Sequence, residues 1–219
     1  MRGIGLSLTM GAVALLFAVM VQPHPAMAKG VNKGTAEADI CKTKVPYINQ
    51  KTGQPYVDQS GNPVMVNYPC GAIVYANKGG YYVKPVAVEA RGSNNQETKD
   101  PTYNKACADY KRSFRNEPTG LQAGEYVTFI VPASCAYKLS IDIVAGRSKD
   151  RDLWLTPGCV IETSTDGTTT SNEWHMKTYY SDKAKAQTAD LNKLMGTDTT
   201  LPKDPVDADG HACGRQGKM

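Results

Sequence analysis

Cys135-Ala136-Tyr137-Lys138-Leu139-Ser140-Ile141-Asp142-Ile143-Val144 is the most regular stretch of this chain. Cys135, Tyr137, Leu139, Ile141 and Ile143 share one parity, and Lys138, Ser140 and Asp142 share the other. Successive strand residues point to opposite faces, so the alternation specifies a strand with one face buried and one face wet. Another strand runs just upstream, over Tyr126 to Pro132.

Further upstream, from Val45 to Glu89, short apolar or aromatic pieces are cut by turn residues. These cuts are Lys51-Thr52-Gly53, Gln59-Ser60-Gly61-Asn62-Pro63 and Asn77-Lys78-Gly79-Gly80, a pattern that reads as hairpins. In Val64 to Val74 the apolar residues fall on even positions, which places Cys70 on a buried face, with Pro69 marking a bulge or an edge. Tyr81 to Glu89 is the returning strand. Downstream, a charged loop is expected over Ala145 to Asp152, followed by Leu153-Trp154-Leu155 and a strand from Cys159 to Thr165. An Asp166-Gly167 turn and a return strand through Tyr180 complete the pattern. A two-residue loop there sets Thr165 opposite Thr168, Cys159 opposite Trp174 and Gly158 opposite His175.

Two helices are expected. Asp100 is a good N-cap, Pro101 suits the first helical position, and Tyr103, Ala106, Cys107, Tyr110 and Phe114 recur at helical spacing, so 101–116 reads as an amphipathic helix packed on a sheet. Ser181 caps a weaker helix over 182–195, stopped by Gly196. The fold class is therefore mainly β with two helices, a β-rich α+β chain built on a sandwich or barrel-like antiparallel sheet.

The ends read differently. Residues 1–28 have the form of a signal peptide: Arg2, an apolar stretch to Val21, the helix breakers Pro23 and Pro25, and the cleavage pattern Ala26-Met27-Ala28. Cleavage leaves 219 − 28 = 191 residues starting at Lys29, with no membrane span. Residues 29–44 form a polar lead-in, with Thr35 placed to cap a helical turn near Cys41. Residues 45–196 form a single β-rich domain, and 197–219 an irregular tail.

All six cysteines, Cys41, Cys70, Cys107, Cys135, Cys159 and Cys213, follow the signal segment. An even number in an exported chain, with no C-x-x-C spacing, implies three structural disulfides rather than a zinc or redox site. With Cys107 on the helix stripe and Cys70 and Cys135 on apolar strand faces, Cys107 is expected to pair with one of those two.

Composition excludes several classes. The hydrophobic share of 41% and charged share of 21% are those of a folded globular chain. The mature charge balance of 24 − 21 = +3, with acids interleaved among the basic clusters, gives no footprint for nucleic acid. G-x-S-x-G, H-E-x-x-H, phosphate-loop and dinucleotide motifs are missing, and only His175 and His211 follow the signal segment. Asp204, Asp207, Asp209 and His211 crowd the tail, but their spacing departs from a calcium loop. No catalytic residue, metal or cofactor is therefore assigned.

Tyrosine leans toward binding, with 12 Tyr against 3 Phe. In Tyr81-Tyr82 and Tyr179-Tyr180, adjacent strand residues point opposite ways, so one ring of each pair lies outside the core and can meet a protein or a sugar. These four and Trp174 are the candidate binding residues. The function expected is a periplasmic or secreted, disulfide-stabilised binding or assembly protein of the bacterial envelope or extracellular space. Its partner would be another envelope or extracellular protein, or a glycan. The competing expectation is a periplasmic hydrolase built on His175 or a Ser-Lys pair.

Overall fold

A computed structural model describes residues 30–48, 52–91, 105–107, 110–115, 120–195 and 214–216. The expected signal segment lies outside these residues. Twelve strands are described: β1 (Val31–Glu37), β2 (Lys44–Pro46), β3 (Met65–Asn67), β4 (Cys70–Asn77), β5 (Val83–Ala90), β6 (Lys111–Phe114), β7 (Glu125–Pro132), β8 (Cys135–Ile143), β9 (Lys149–Leu155), β10 (Cys159–Gly167), β11 (Asn172–Tyr180) and β12 (Gly214–Gln216). One α-helix is described, α1 (Asp182–Met195).

The strands form two five-stranded sheets. The first runs β1-β7-β4-β10-β11 and is mixed, because β1 pairs parallel with β7 and β10 parallel with β4. The second runs β12-β9-β8-β5-β6 and is antiparallel throughout. Ile73, Tyr75, Val127, Phe129, Val131 and Ile161 of the first join Val86, Val88, Tyr137, Leu139, Ile141, Leu153 and Leu155 of the second in one buried cluster. Two sheets sharing one core make a sandwich, as the class reading expects.

β8 has the predicted facing: Cys135, Tyr137, Leu139, Ile141 and Ile143 are buried, while Asp142 is exposed and Lys138 and Ser140 are half-buried. The hairpin reading also holds for 44–67, where β2 pairs with β3 and the isolated antiparallel bridges Ile48–Pro55 and Val57–Pro63 form between them. α1 matches its expected span, and Ser181 caps it by accepting the Ala184 amide at 3.2 Å.

Elsewhere the structure corrects the sequence reading. Part of the expected helix 101–116 lies outside the described residues, but Lys105–Cys107 is a single 3-10 turn and Lys111–Phe114 is β6, an edge strand. Val86 to Glu89 supply the pairing that overrides the helical spacing. Phe114 packs edge-on against Phe129, ring centroids 5.2 Å apart. The polar lead-in is in fact β1. An edge strand needs no apolar alternation, and Val31–Glu37 has none. Its helical turn is a 3-10 segment, Asp39–Lys42, entered from Ala38 rather than capped by Thr35.

The Val64–Val74 strand is broken into β3 and β4 around Tyr68-Pro69, and the odd residues Ile73 and Tyr75 face the core. Val74 sits instead in a small cluster with Tyr126 and Val160 on the other face of the first sheet. Asn77 to Gly80 does not close a hairpin but carries the chain from one sheet to the other. The charged loop is shorter than expected, because Lys149 to Asp152 already belong to β9. The irregular tail contributes β12, paired with Leu153 to Leu155.

The β10–β11 turn is wider than two residues. Gly167 pairs with Asn172 and Cys159 with Tyr180, so the register is displaced by six positions from the expected one. An even displacement preserves facing, so which residues point inward is unchanged.

Cys41 bridges Cys70 and Cys107 bridges Cys135, with Cα separations of 5.9 and 6.3 Å. The Cys107 pairing falls within the expected pair of partners, although a 3-10 turn rather than a helix carries it. Cys159 is disulfide-bonded too, and none of the described cysteines is free. Cys213, left over by count, lies outside the described residues. No helix among the described residues is long and apolar enough to cross a membrane.

Candidate functional site

One end of the sandwich gathers the loops that follow β4, precede β7, join β8 to β9 and join β10 to β11. Asn77 holds the first two together. It is fully buried, and its amide nitrogen donates to the carbonyls of Tyr81, at 2.5 Å, and Leu121, at 3.0 Å. Its side-chain oxygen accepts the Gly79 amide at 3.0 Å. Asn here does what a short polar side chain does in a turn, satisfying backbone groups that no strand can reach. The Gly80 amide donates to the Gly167 carbonyl, and the Lys149 ammonium to the Asn172 carbonyl, so the remaining loops are tied to the same end.

The returning strand expected from Tyr81 begins only at Val83, so Tyr81 and Tyr82 lie in the loop before β5, where their side chains nonetheless part. Tyr81 is buried, and its hydroxyl donates to the Asp166 carbonyl at 3.5 Å. Burial pushes its phenol above the usual range. Tyr82 is 46% exposed. Both line an open hollow of about 270 Å³ with Gly80, Gln122 and Ala123.

Trp174 lies nearby but faces inward. It meets Tyr75 edge-on at 5.9 Å, carries the Arg151 guanidinium over its ring at 5.4 Å, and leaves its indole N–H without a hydrogen bond. Tyr179 and Tyr180 lie at the far end of β11 from the hollow. Tyr180 belongs to the core, whereas Tyr179 is half-buried on the outer face, under the Lys177 ammonium at 5.4 Å. Burial and the neighbouring Glu162 carboxylate push the Tyr179 phenol up to about 12. The five candidate aromatics therefore do not form one patch, and only Tyr81 and Tyr82 line a common hollow.

His175 is exposed on the outer face of β11, and its Nε2 lies 2.9 Å from Asp166 Oδ2. Ser164 stands opposite it in register. No hydrogen bond joins that hydroxyl to the imidazole among the described residues, and the hollow is lined by other residues, so the arrangement lacks the relay and enclosure of a nucleophilic site. His211 and the tail acids lie outside the described residues. Sequence reasoning missed Asn77, Gln122 and Asp166. Asp166 was hidden by the register, because a two-residue turn puts it at the tip of the loop instead of across from β11.

No known protein-family model and no curated protein matches the sequence. Among solved structures, the chain resembles pneumolysin at 15% identity over 52% of this chain and 25% of that one, with a TM-score of 0.33. It resembles the human-specific toxin intermedilysin at 20% identity over 52% and 24%, with a TM-score of 0.31. It also matches the membrane-binding domain of pneumolysin over 51% of this chain and 99% of that one, at 12% identity and a TM-score of 0.27. The chain thus spans about a quarter of the length of the full-length toxins it matches. What the chain itself carries is a disulfide-linked β fold, compatible with binding or assembly in an oxidising compartment outside the cytoplasm.

Proposed function

We propose that this is an exported binding or assembly protein of the bacterial envelope or extracellular space, engaging another protein or a glycan through the loop end around Tyr82. The observation that carries the reading is the exposure of Tyr82 beside the hollow it shares with Tyr81, Gln122 and Ala123. An amphipathic ring held on loops already fixed by Asn77 loses little conformational entropy when it is covered. Gln122 adds an amide that can hydrogen-bond a hydroxyl or a peptide group.

The test is to present the oxidised chain to an extracellular glycan array and, by cross-linking, to envelope proteins, in parallel with Tyr82→Ala. A specific signal that falls roughly tenfold or more in the variant, with an unchanged melting midpoint, is the expected result. Undiminished binding by Tyr82→Ala would overturn the reading. Hydrolysis of ester or glycosidic substrates that disappears in His175→Ala would replace it with the hydrolase reading.

A further inference from the structure

We propose that Asp166, Glu173 and His175 form an open site for a divalent transition metal of the zinc class, a departure from the sequence expectation that the chain holds no metal. The three side chains arise from two neighbouring strands. Asp166 of β10 is directly opposite Glu173 of β11, and His175 follows Glu173 by two residues, on the same face. One potential ligand atom from each, two carboxylate oxygens and one imidazole nitrogen, lies within 4.8 Å of the other two. Zinc is bound at about 2.0–2.2 Å by such ligands, so only small side-chain rotations would bring all three onto one ion.

Electrostatics favours an occupant. Two carboxylates directly opposed across an antiparallel pair repel each other, and a cation placed between them reverses that repulsion. The backbone beneath is held firmly. The Asn172 side chain donates to the Thr168 carbonyl at 3.2 Å, and the Ser171 amide to the Thr168 hydroxyl at 3.1 Å, fixing the turn that sets the register. The imidazole selects zinc-class ions over calcium and magnesium, which prefer an all-oxygen shell. Three protein ligands on an exposed face leave at least one coordination position open to water or to a donor from another molecule.

Isothermal titration of zinc chloride into the oxidised full-length exported chain tests the site. One zinc per chain is expected, with a rise in melting midpoint on zinc addition. His175→Ala, Asp166→Asn and Glu173→Gln should each weaken zinc binding roughly tenfold or more, while His175→Ala and Glu173→Gln, at exposed positions, leave the zinc-free melting midpoint unchanged. His211→Ala should bind like the parent. Parent-like zinc affinity in His175→Ala or Glu173→Gln, loss of binding in His211→Ala, calcium binding as tight as zinc, or no binding at millimolar zinc would each overturn the proposal.

Discussion

The two sheets share one core but differ on their outer faces. The second sheet is wet and charged outside: Lys138 pairs with Asp150 at 2.5 Å, Lys111 with Glu89 at 3.2 Å, and Arg91 with Asp152. The Lys138 hydrogen bond holds the Asp150 carboxyl below the usual carboxylate range. The first sheet instead buries Val74, Tyr126 and Val160 on its outer face, packed with Ala72, Ala76 and Tyr179. A strand with one wet face writes its facing into sequence as alternation, and β8 does so. In β4, Ile73, Val74 and Tyr75 are all buried, so apolar character carries no information about which way each residue points.

The sharpest way to test this contrast is through the disulfides. Their sequence separations are 29 and 28 residues, so chain entropy assigns each bridge about 3.5 kcal/mol. Cys107 and Cys135 are fully buried, however, whereas Cys41 and Cys70 are half-buried. Replacing Cys107 and Cys135 with Ser should therefore cost more than replacing Cys41 and Cys70, because it also leaves hydroxyls in the core. Urea unfolding of the two double variants decides it, and equal costs would mean that burial adds nothing.

A smaller effect compares the two apolar clusters. Leu139→Ala, in the shared core, should lose about 3–4 kcal/mol, while Val74→Ala, in the outer cluster, should lose about 1–2 kcal/mol. Denaturant midpoints at constant m-value check both. Equal losses would promote the outer cluster to a second core.

The smallest effect concerns Tyr110, which lies against Tyr137 at 5.9 Å with its buried hydroxyl unpartnered. Burial pushes its phenol up to about 12, against about 10 in the unfolded chain. The unfolded state then releases its proton first, so the stability this group supplies is intact below pH 10 and is lost as pH rises toward 12. Tyr110→Phe should be neutral or slightly stabilising at pH 7, and its stability should fall less steeply between pH 10 and 12 than the parent's. A parallel decline would show that the hydroxyl reaches solvent.

The β class, β7, β8, the nested hairpin of 44–67 and α1 were legible because each rests on local signals: alternation, turn residues or a Ser cap. What was not legible depends on partners distant in sequence. β1 carries no pattern because an edge strand demands none, and β6 looks helical until Val86 to Glu89 lie beside it. The same limit governs the candidate sites. The split of Tyr81 from Tyr82 has the expected outcome for a different reason, since both precede β5 in the loop that Asn77 holds, and the approach of Asp166 to His175 depends on a turn four residues long, Thr168 to Ser171, which the Asp-Gly pair disguised. Asn77 gave no signal, because its role is to bond backbone carbonyls that come together only after both sheets form.

The edge strands have a kinetic consequence. β1, near the start of the described chain, must wait for β7, since Val31 pairs with Glu125, and β12 reaches back from Gly214 to Leu155. In a chain synthesised from its N-terminus, neither of these two edges can close until a distant partner has emerged. High contact order of this kind slows folding and keeps unpaired strand edges exposed meanwhile, a state that favours aggregation.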